Sequence, residues 1–322
     1  MNLSHRPRRL RQSPSIRDIV RETNLHPSQL FFPLFVCEGK GIHKSNEHIP
    51  SLVTVSVDQL KTSLAPVVKA GIKAVVLFGV VKKKDAKGSG ALDENGPVVK
   101  AIKKIRDDFP ELIVVTDVAL DPYTDHGHDG LFKNGEVLND ETVQVLSEMS
   151  ILHAKAGAQM VSPSDMMDGR IAGIRQSLDS SSFENTMIMS YTAKYASCLY
   201  GPFRDTLSAK VIGDKKTYQM DPANRREALR ELHLDLEEGA DIVMVKPALW
   251  YLDIIADFKR EASVPVAAYH VSGEAAMLEV GAKSGLFDRD RALLESLHSI
   301  SRAGADIILT YQALDAARLL TR

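Results

Sequence analysis

Two lysines stand where short apolar runs end. Lys246 closes Ile242-Val243-Met244-Val245, and the Pro247 that follows favours an extended backbone at the residue before it. Lys194 closes Ser190-Tyr191-Thr192-Ala193. Lysine is seldom buried without a partner, so each amine is open to two readings: half of a structural salt bridge, or a nucleophile. If the two ammonium groups meet, desolvation and like charge both lower a lysine pKa from about 10.4. A free amine can then attack a carbonyl and form a Schiff base.

Between the lysines, the segment from Tyr200 to Gln219 carries Arg204, Lys210, Lys215 and Lys216, with Gly201 and Gly213 as candidate hinges. A long loop after a strand suits a lid, and its cations suit a substrate carboxylate. A solvated surface loop is the competing reading. A third group runs from Asp117 to Gly130 and includes Asp121, Asp125, His126, His128 and Asp129. It fits no zinc-finger spacing and contains no cysteine, so any cation there would meet hard oxygens and imidazole. Aspartate-rich turns also arise for hydrogen bonding alone.

These residues need elements to hold them. From residue 30 onward, short apolar, β-branched runs alternate with stretches of helical length. The runs are Leu30–Val36, Ala74–Val80, Leu112–Val118, Met160–Ser162, Met187–Tyr191, Ile242–Lys246, Val264–Tyr269 and Asp306–Thr310. Nearly continuous hydrophobicity is what parallel strands covered on both faces require. Gly71, Gly157, Gly239 and Gly304 each precede a run by a few residues, where a left-handed helix stop allows a tight turn. Eight such strands predict a (β/α)8 barrel, with a doubly wound open sheet as the alternative. In a barrel the chemistry gathers at the C-terminal strand ends. Those ends supply Asp117, Ser162 to Asp165, Ser190 to Lys194, Lys246, His270 to Ser272, and Tyr311.

The chain has 322 residues, 44% hydrophobic and 25% charged, enough for a sizeable core. Forty basic against forty-two acidic residues leave a net charge of -2, which argues against a general nucleic-acid binder. The longest apolar run, Ala74 to Val81, is far short of the roughly 18 residues that span a bilayer. Two cysteines, Cys37 and Cys198, make no disulfide framework and fit a reducing compartment, so a soluble cytoplasmic protein is expected. Residues 1–29 read as an extended N-terminal arm and 30–322 as one catalytic barrel domain. Six arginines crowd the first 21 residues, and Pro7 and Pro14 break any continuous helix. A transit peptide and a frayed terminus are the other readings of that arm.

Several long motifs resemble the porphobilinogen synthase (5-aminolevulinate dehydratase) family. They are Ile242-Val243-Met244-Val245-Lys246-Pro247 with Tyr251-Leu252-Asp253, Ser190 to Ser197 with Tyr200-Gly201-Pro202-Phe203-Arg204-Asp205, and Tyr269-His270-Val271-Ser272-Gly273-Glu274. The likeness runs from Arg6-Pro7-Arg8-Arg9 to Thr310-Tyr311. Because the arm shares in it, the transit-peptide reading falls away. The resemblance implies a lyase that condenses two molecules of 5-aminolevulinate to the pyrrole porphobilinogen in tetrapyrrole biosynthesis. Lys246 matches the lysine that holds the first-bound substrate as a Schiff base, and Lys194 the second such lysine. Arg204 and Lys215 match lid residues that grip one substrate carboxylate, while Ser272 and Tyr311 match those gripping the other. Asp117 and Asp165 are candidates for proton transfer.

One departure bears on metals. The zinc-dependent branch carries three cysteines where this chain has Ala119, Asp121 and Asp129, beside a histidine matching His128. Alanine cannot ligate, and aspartates disfavour a soft zinc site. The chain therefore resembles the magnesium-type branch, with no zinc and no organic cofactor expected and with Asp121 and Asp129 as candidate ligands of an active-site cation. Glu231, on the helical stretch 225–238, matches a glutamate associated with an allosteric magnesium. Magnesium keeps most of its waters, so a single carboxylate is chemically sufficient. The resemblance further implies a homo-octamer assembled through the arms, and no nucleic-acid or membrane partner. Two other classes compete. A one-lysine aldolase would favour a phosphate-binding glycine loop, yet Glu274 stands where phosphate would go. A non-catalytic barrel would leave the strand ends degenerate, yet they are filled.

Overall fold

The computed structural model describes residues 3–207 and 211–321. Eight parallel strands form the centre: β1 (Leu30–Cys37), β2 (Ala74–Val80), β3 (Ile113–Val118), β4 (Met160–Pro163), β5 (Met187–Lys194), β6 (Ile242–Lys246), β7 (Val266–His270) and β8 (Ile307–Thr310). Each pairs with the next, and β8 returns to β1 through Leu30–Ile308 and Phe31–Leu309. The sheet is therefore closed, and the open doubly wound alternative is excluded. All eight expected runs become strands because their side chains find apolar cover on both faces. The largest change of boundary is at β5, which continues three residues past Tyr191 to Lys194. At β8 the strand begins one residue late, since Asp306 turns its carboxylate to the Val266 N–H at 2.9 Å and to Lys259.

Eleven α-helices are found among the described residues: α1 (Pro14–Ile19), α2 (Leu60–Lys69), α3 (Pro97–Asp108), α4 (Asn139–Ala156), α5 (Arg170–Ser180), α6 (Gly201–Leu207), α7 (Arg226–Glu237), α8 (Leu252–Glu261), α9 (Ser272–Lys283), α10 (Arg289–Ala303) and α11 (Ala313–Leu320). The four turn glycines have φ of 86°, 110°, 98° and 127°, the left-handed stop expected of them. Two apolar clusters result. One fills the barrel interior with Phe35, Phe78, Met189, Tyr191, Met244 and Tyr269 among others. The other lies between sheet and helices and includes Ile188, Ala193, Val243 and Val245.

Most of the arm stays outside both clusters, and only its end packs in, with Leu25 against the outer one and Pro27 buried. It is not a plain extended strand: Pro7–Arg11 forms a 3-10 turn and Pro14–Ile19 the short helix α1. Proline breaks a helix in its interior but is well suited to its first position, which is where both prolines sit. Leu10 is 55% exposed and Ile19 82% exposed on these turns.

Candidate active site

At the C-terminal end of the barrel, Lys246 and Lys194 are direct partners in the β5–β6 register. They arrive there differently. Along β6, Ile242, Met244 and Lys246 face the interior by simple alternation. Along β5 the register slips, so that Tyr191 and Thr192 together oppose Met244. This one-residue bulge changes the parity of the strand and brings Lys194 round to the interior, as bulges beside active sites commonly do.

The two amines have unlike surroundings. Lys246 Nζ lies 4.9 to 5.3 Å from the ring centres of Tyr269, Tyr191, Tyr200 and Phe203. Burial in this aromatic cage, with Lys194 beside it, lowers its pKa to about 7, so much of it is free amine at neutral pH. Lys194 instead donates to Asp129 at 3.0 Å and to the Ser164 carbonyl. Its amine is held in an ion pair with a carboxylate that is fully buried.

Asp129 takes a second cation. Lys215 Nζ lies 2.6 Å from Asp129 and 3.2 Å from Asp121. Burial alone would raise Asp129, but the Lys194 and Lys215 ammoniums outweigh it and hold the carboxyl well below its usual range. Burial raises Asp121, against the pull of Lys215. The structure thus brings Asp121 and Asp129 together, as expected of cation ligands, but the charge between them is an ammonium. Among the described residues no three His, Cys, Asp or Glu side chains converge to hold a metal. An inorganic cation here would have to displace Lys215, so these residues do not fit a resident active-site metal.

The histidines of the same stretch secure the lid. His128 bonds the Ile212 carbonyl at 2.9 Å and the Tyr218 hydroxyl at 3.0 Å, and the Ile212 N–H donates to the His126 carbonyl at 3.0 Å. On the other side, the Phe203 N–H donates to Ser272 Oγ at 3.2 Å, and a Cβ on Gly273 would come within 2.5 Å of the Leu199 carbonyl. The lid closes the site to a cavity of about 20 Å³, lined by Asp117, Ser164, Tyr200, Arg204, Gln219 and both lysines among others. Lys210 lies outside the described residues. Ser272 and Tyr311 are buried to the side of this cavity, with the Tyr311 hydroxyl 2.9 Å from that of Tyr269.

Two carboxyls suited to proton transfer stand nearby. Burial and then Asp121 push Asp117 up to about 7, and one of its oxygens has no partner among the described residues. Asp165 is raised by burial to about 6 and likewise keeps one oxygen free, the other accepting from the Met167 N–H at 2.7 Å. Sequence reasoning missed the role of Glu274, read there only as an obstacle to phosphate. Its buried carboxylate accepts from the Leu249 and Val271 N–H groups, both at 2.5 Å. It thereby ties the loop after Lys246 to the start of α9, where Ser272 sits. Glu231 lies apart, half-buried on α7, in a separate cavity of about 580 Å³ with Asp168, Asp221 and Glu227.

Comparison with known proteins agrees with this geometry. The family model described as Delta-aminolevulinic acid dehydratase matches residues 4–319. Delta-aminolevulinic acid dehydratase of Halalkalibacterium halodurans is 50% identical over 98% of this chain and 96% of its own. That of Bacillus subtilis is 50% identical over 98% of each. The crystal structure of the Toxoplasma gondii enzyme, in complex with the reaction product porphobilinogen, superposes with a TM-score of 0.95 at 43% identity, covering 98% of this chain and 92% of that one. With matching sequence, matching fold and two lysines in register at the barrel mouth, the chain belongs to the delta-aminolevulinic acid dehydratase (porphobilinogen synthase) family.

Proposed function

We infer that this chain is a porphobilinogen synthase, a lyase that condenses two 5-aminolevulinate molecules with loss of water. The observation that carries the reading is the pair Lys246 and Lys194, adjacent in register yet differently held. Lys246, caged and free of an ion pair, is the first nucleophile. Its nitrogen bonds to the ketone carbon of one substrate, and the ketone oxygen leaves as water after accepting protons. Asp117, with a pKa near neutrality, is placed to give and take those protons. Lys194 must leave its contact with Asp129 before it can form the second imine, which orders the two events. Arg204 and Lys215 bring lid cations to a substrate carboxylate, and Ser272 and Tyr311 supply hydroxyls for the other.

The test is porphobilinogen formation from 5-aminolevulinate, with borohydride used to trap the imine. An adduct mapped to Lys246 supports the reading. Adducts confined to surface lysines, with no pyrrole formed, would overturn it.

The same reading includes magnesium at Glu231 and assembly as an octamer through the arm. The acidic cavity around Glu231 offers oxygen donors without a closed cage, which suits an ion that keeps its waters. The exposed Leu10 and Ile19 suit an arm that covers them on a neighbouring copy. Magnesium should therefore raise both turnover and sedimentation coefficient, by binding the assembled state preferentially. Glu231→Ala should lose both responses. A variant that keeps the sedimentation shift would refute the assignment to Glu231.

A further inference from the structure

Two opposite charges are buried on the outer side of β5, away from the reacting amines. Arg170, the first residue of α5, and Asp235 of α7 are 2% and 0% exposed and meet at 2.7 and 3.2 Å. A buried ion pair is costly to desolvate and is weak evidence for stability by itself. What it holds is more telling. Ser190 Oγ donates to Asp235 at 2.5 Å and accepts from Arg170 Nη2 at 3.1 Å, and the same nitrogen reaches the Tyr191 carbonyl at 3.4 Å. Ser190 and Tyr191 are where the β5 bulge begins.

The bulge decides where Lys194 points. Before it, Ile188 packs in the outer apolar layer while Met189 and Tyr191 pack in the barrel. After it, Ala193 packs in the outer layer and Lys194 faces the interior. In an unbulged strand Lys194 would share the parity of Ser190 and push an ammonium into the layer between sheet and helices. A bulge also leaves backbone groups outside the ladder that need partners. The Tyr191 carbonyl finds one in Arg170.

We propose that Arg170 and Asp235 are positioning residues that hold the β5 bulge through Ser190 and the Tyr191 carbonyl, and so turn Lys194 into the barrel beside Lys246. This rests on the reading that both lysines form imines. Lys246 needs no such device, because β6 reaches the interior by alternation alone. Loss of the clamp should therefore fall on one lysine and spare the other, which general destabilisation would not do.

The experiment is borohydride trapping with 5-aminolevulinate, with adducts on Lys194 and Lys246 quantified by peptide mass mapping. Ser190→Ala removes the hydroxyl link while adding no charge, and Arg170→Met with Asp235→Leu removes both charges together. Melting temperature is recorded for each variant. The Lys194 adduct should form about tenfold to a hundredfold more slowly, the scale of a misplacement near 1 Å, with the Lys246 adduct close to the parent rate. If the double variant does not fold, Ser190→Ala decides. An unchanged ratio of adducts in a folded variant overturns the proposal, as does a parent enzyme that traps only on Lys246. A parent that traps on neither lysine refutes the function instead.

Discussion

The ends of β5 and β6 carry the same side chain in the same register and make opposite things of it. At the end of β6, burial and a neighbouring ammonium press Lys246 towards the free amine. At the end of β5, Asp129 pairs with Lys194 in an equally buried setting. Removal from water disfavours a lone charge, whereas a carboxylate at 3.0 Å restores it. The difference between a nucleophile and an ion pair thus lies in the partner, since burial is common to both.

The largest effect should come from removing the free amine. Lys246→Met keeps the volume and should lower turnover by about four orders of magnitude or more, as loss of a covalent nucleophile does. Substrate should then fail to trap on Lys194 as well, if imine formation at Lys246 comes first. Trapping on Lys194 at the parent rate in this variant would break the proposed order.

A smaller effect is expected at the carboxylate that marks the other lysine. Asp129→Asn leaves Lys194 and Lys215 sharing fewer negative charges in a buried site, which should cost about 3–5 kcal/mol of stability. Denaturant titration measures that loss. A stability equal to the parent would show that Asp129 is not the group that holds these ammoniums.

The gentlest test is pH. In the proposed reaction Lys246 acts as the neutral amine, and its pKa is lowered to about 7. Below that value the free-amine fraction, and with it the trapping rate at Lys246, should fall about tenfold per pH unit; above about pH 8 it should level off. Stopped borohydride trapping between pH 5.5 and 9.5 would show this. A rate still climbing steeply at pH 9 would mean that the cage leaves the amine with an ordinary lysine pKa.

The barrel was legible in the sequence because strands covered on both faces must be apolar at nearly every position, and the turns between them need glycine at positive φ. The two lysines were legible as residues that end such runs. Direction was not. Alternation from Met189 and Tyr191 would place Lys194 on the outer face, and nothing in Ser190-Tyr191-Thr192-Ala193 announces an extra residue. Glu274 and the Arg170–Asp235 pair were hidden for a related reason. They act through backbone groups of distant segments, and contacts of that kind leave no local spacing. The arm differs again: Pro7 and Pro14 exclude a helix running through them but permit one that starts at each.

The cavity between the lysines, about 20 Å³, has room for roughly one water. In the proposed reaction two substrates and a pyrrole product must nonetheless occupy that place. Tyr200, Phe203 and Arg204 of the lid segment line that space and would have to move aside for the ligands. Binding is therefore an exchange of protein for ligand, and the measured affinity will be discounted by the work of moving the lid. Inhibitor searches that hold the receptor rigid would reject the natural substrate itself. Compounds should be chosen against the displaced lid, with their fit judged by whether His128 and Ser272 can still draw it shut.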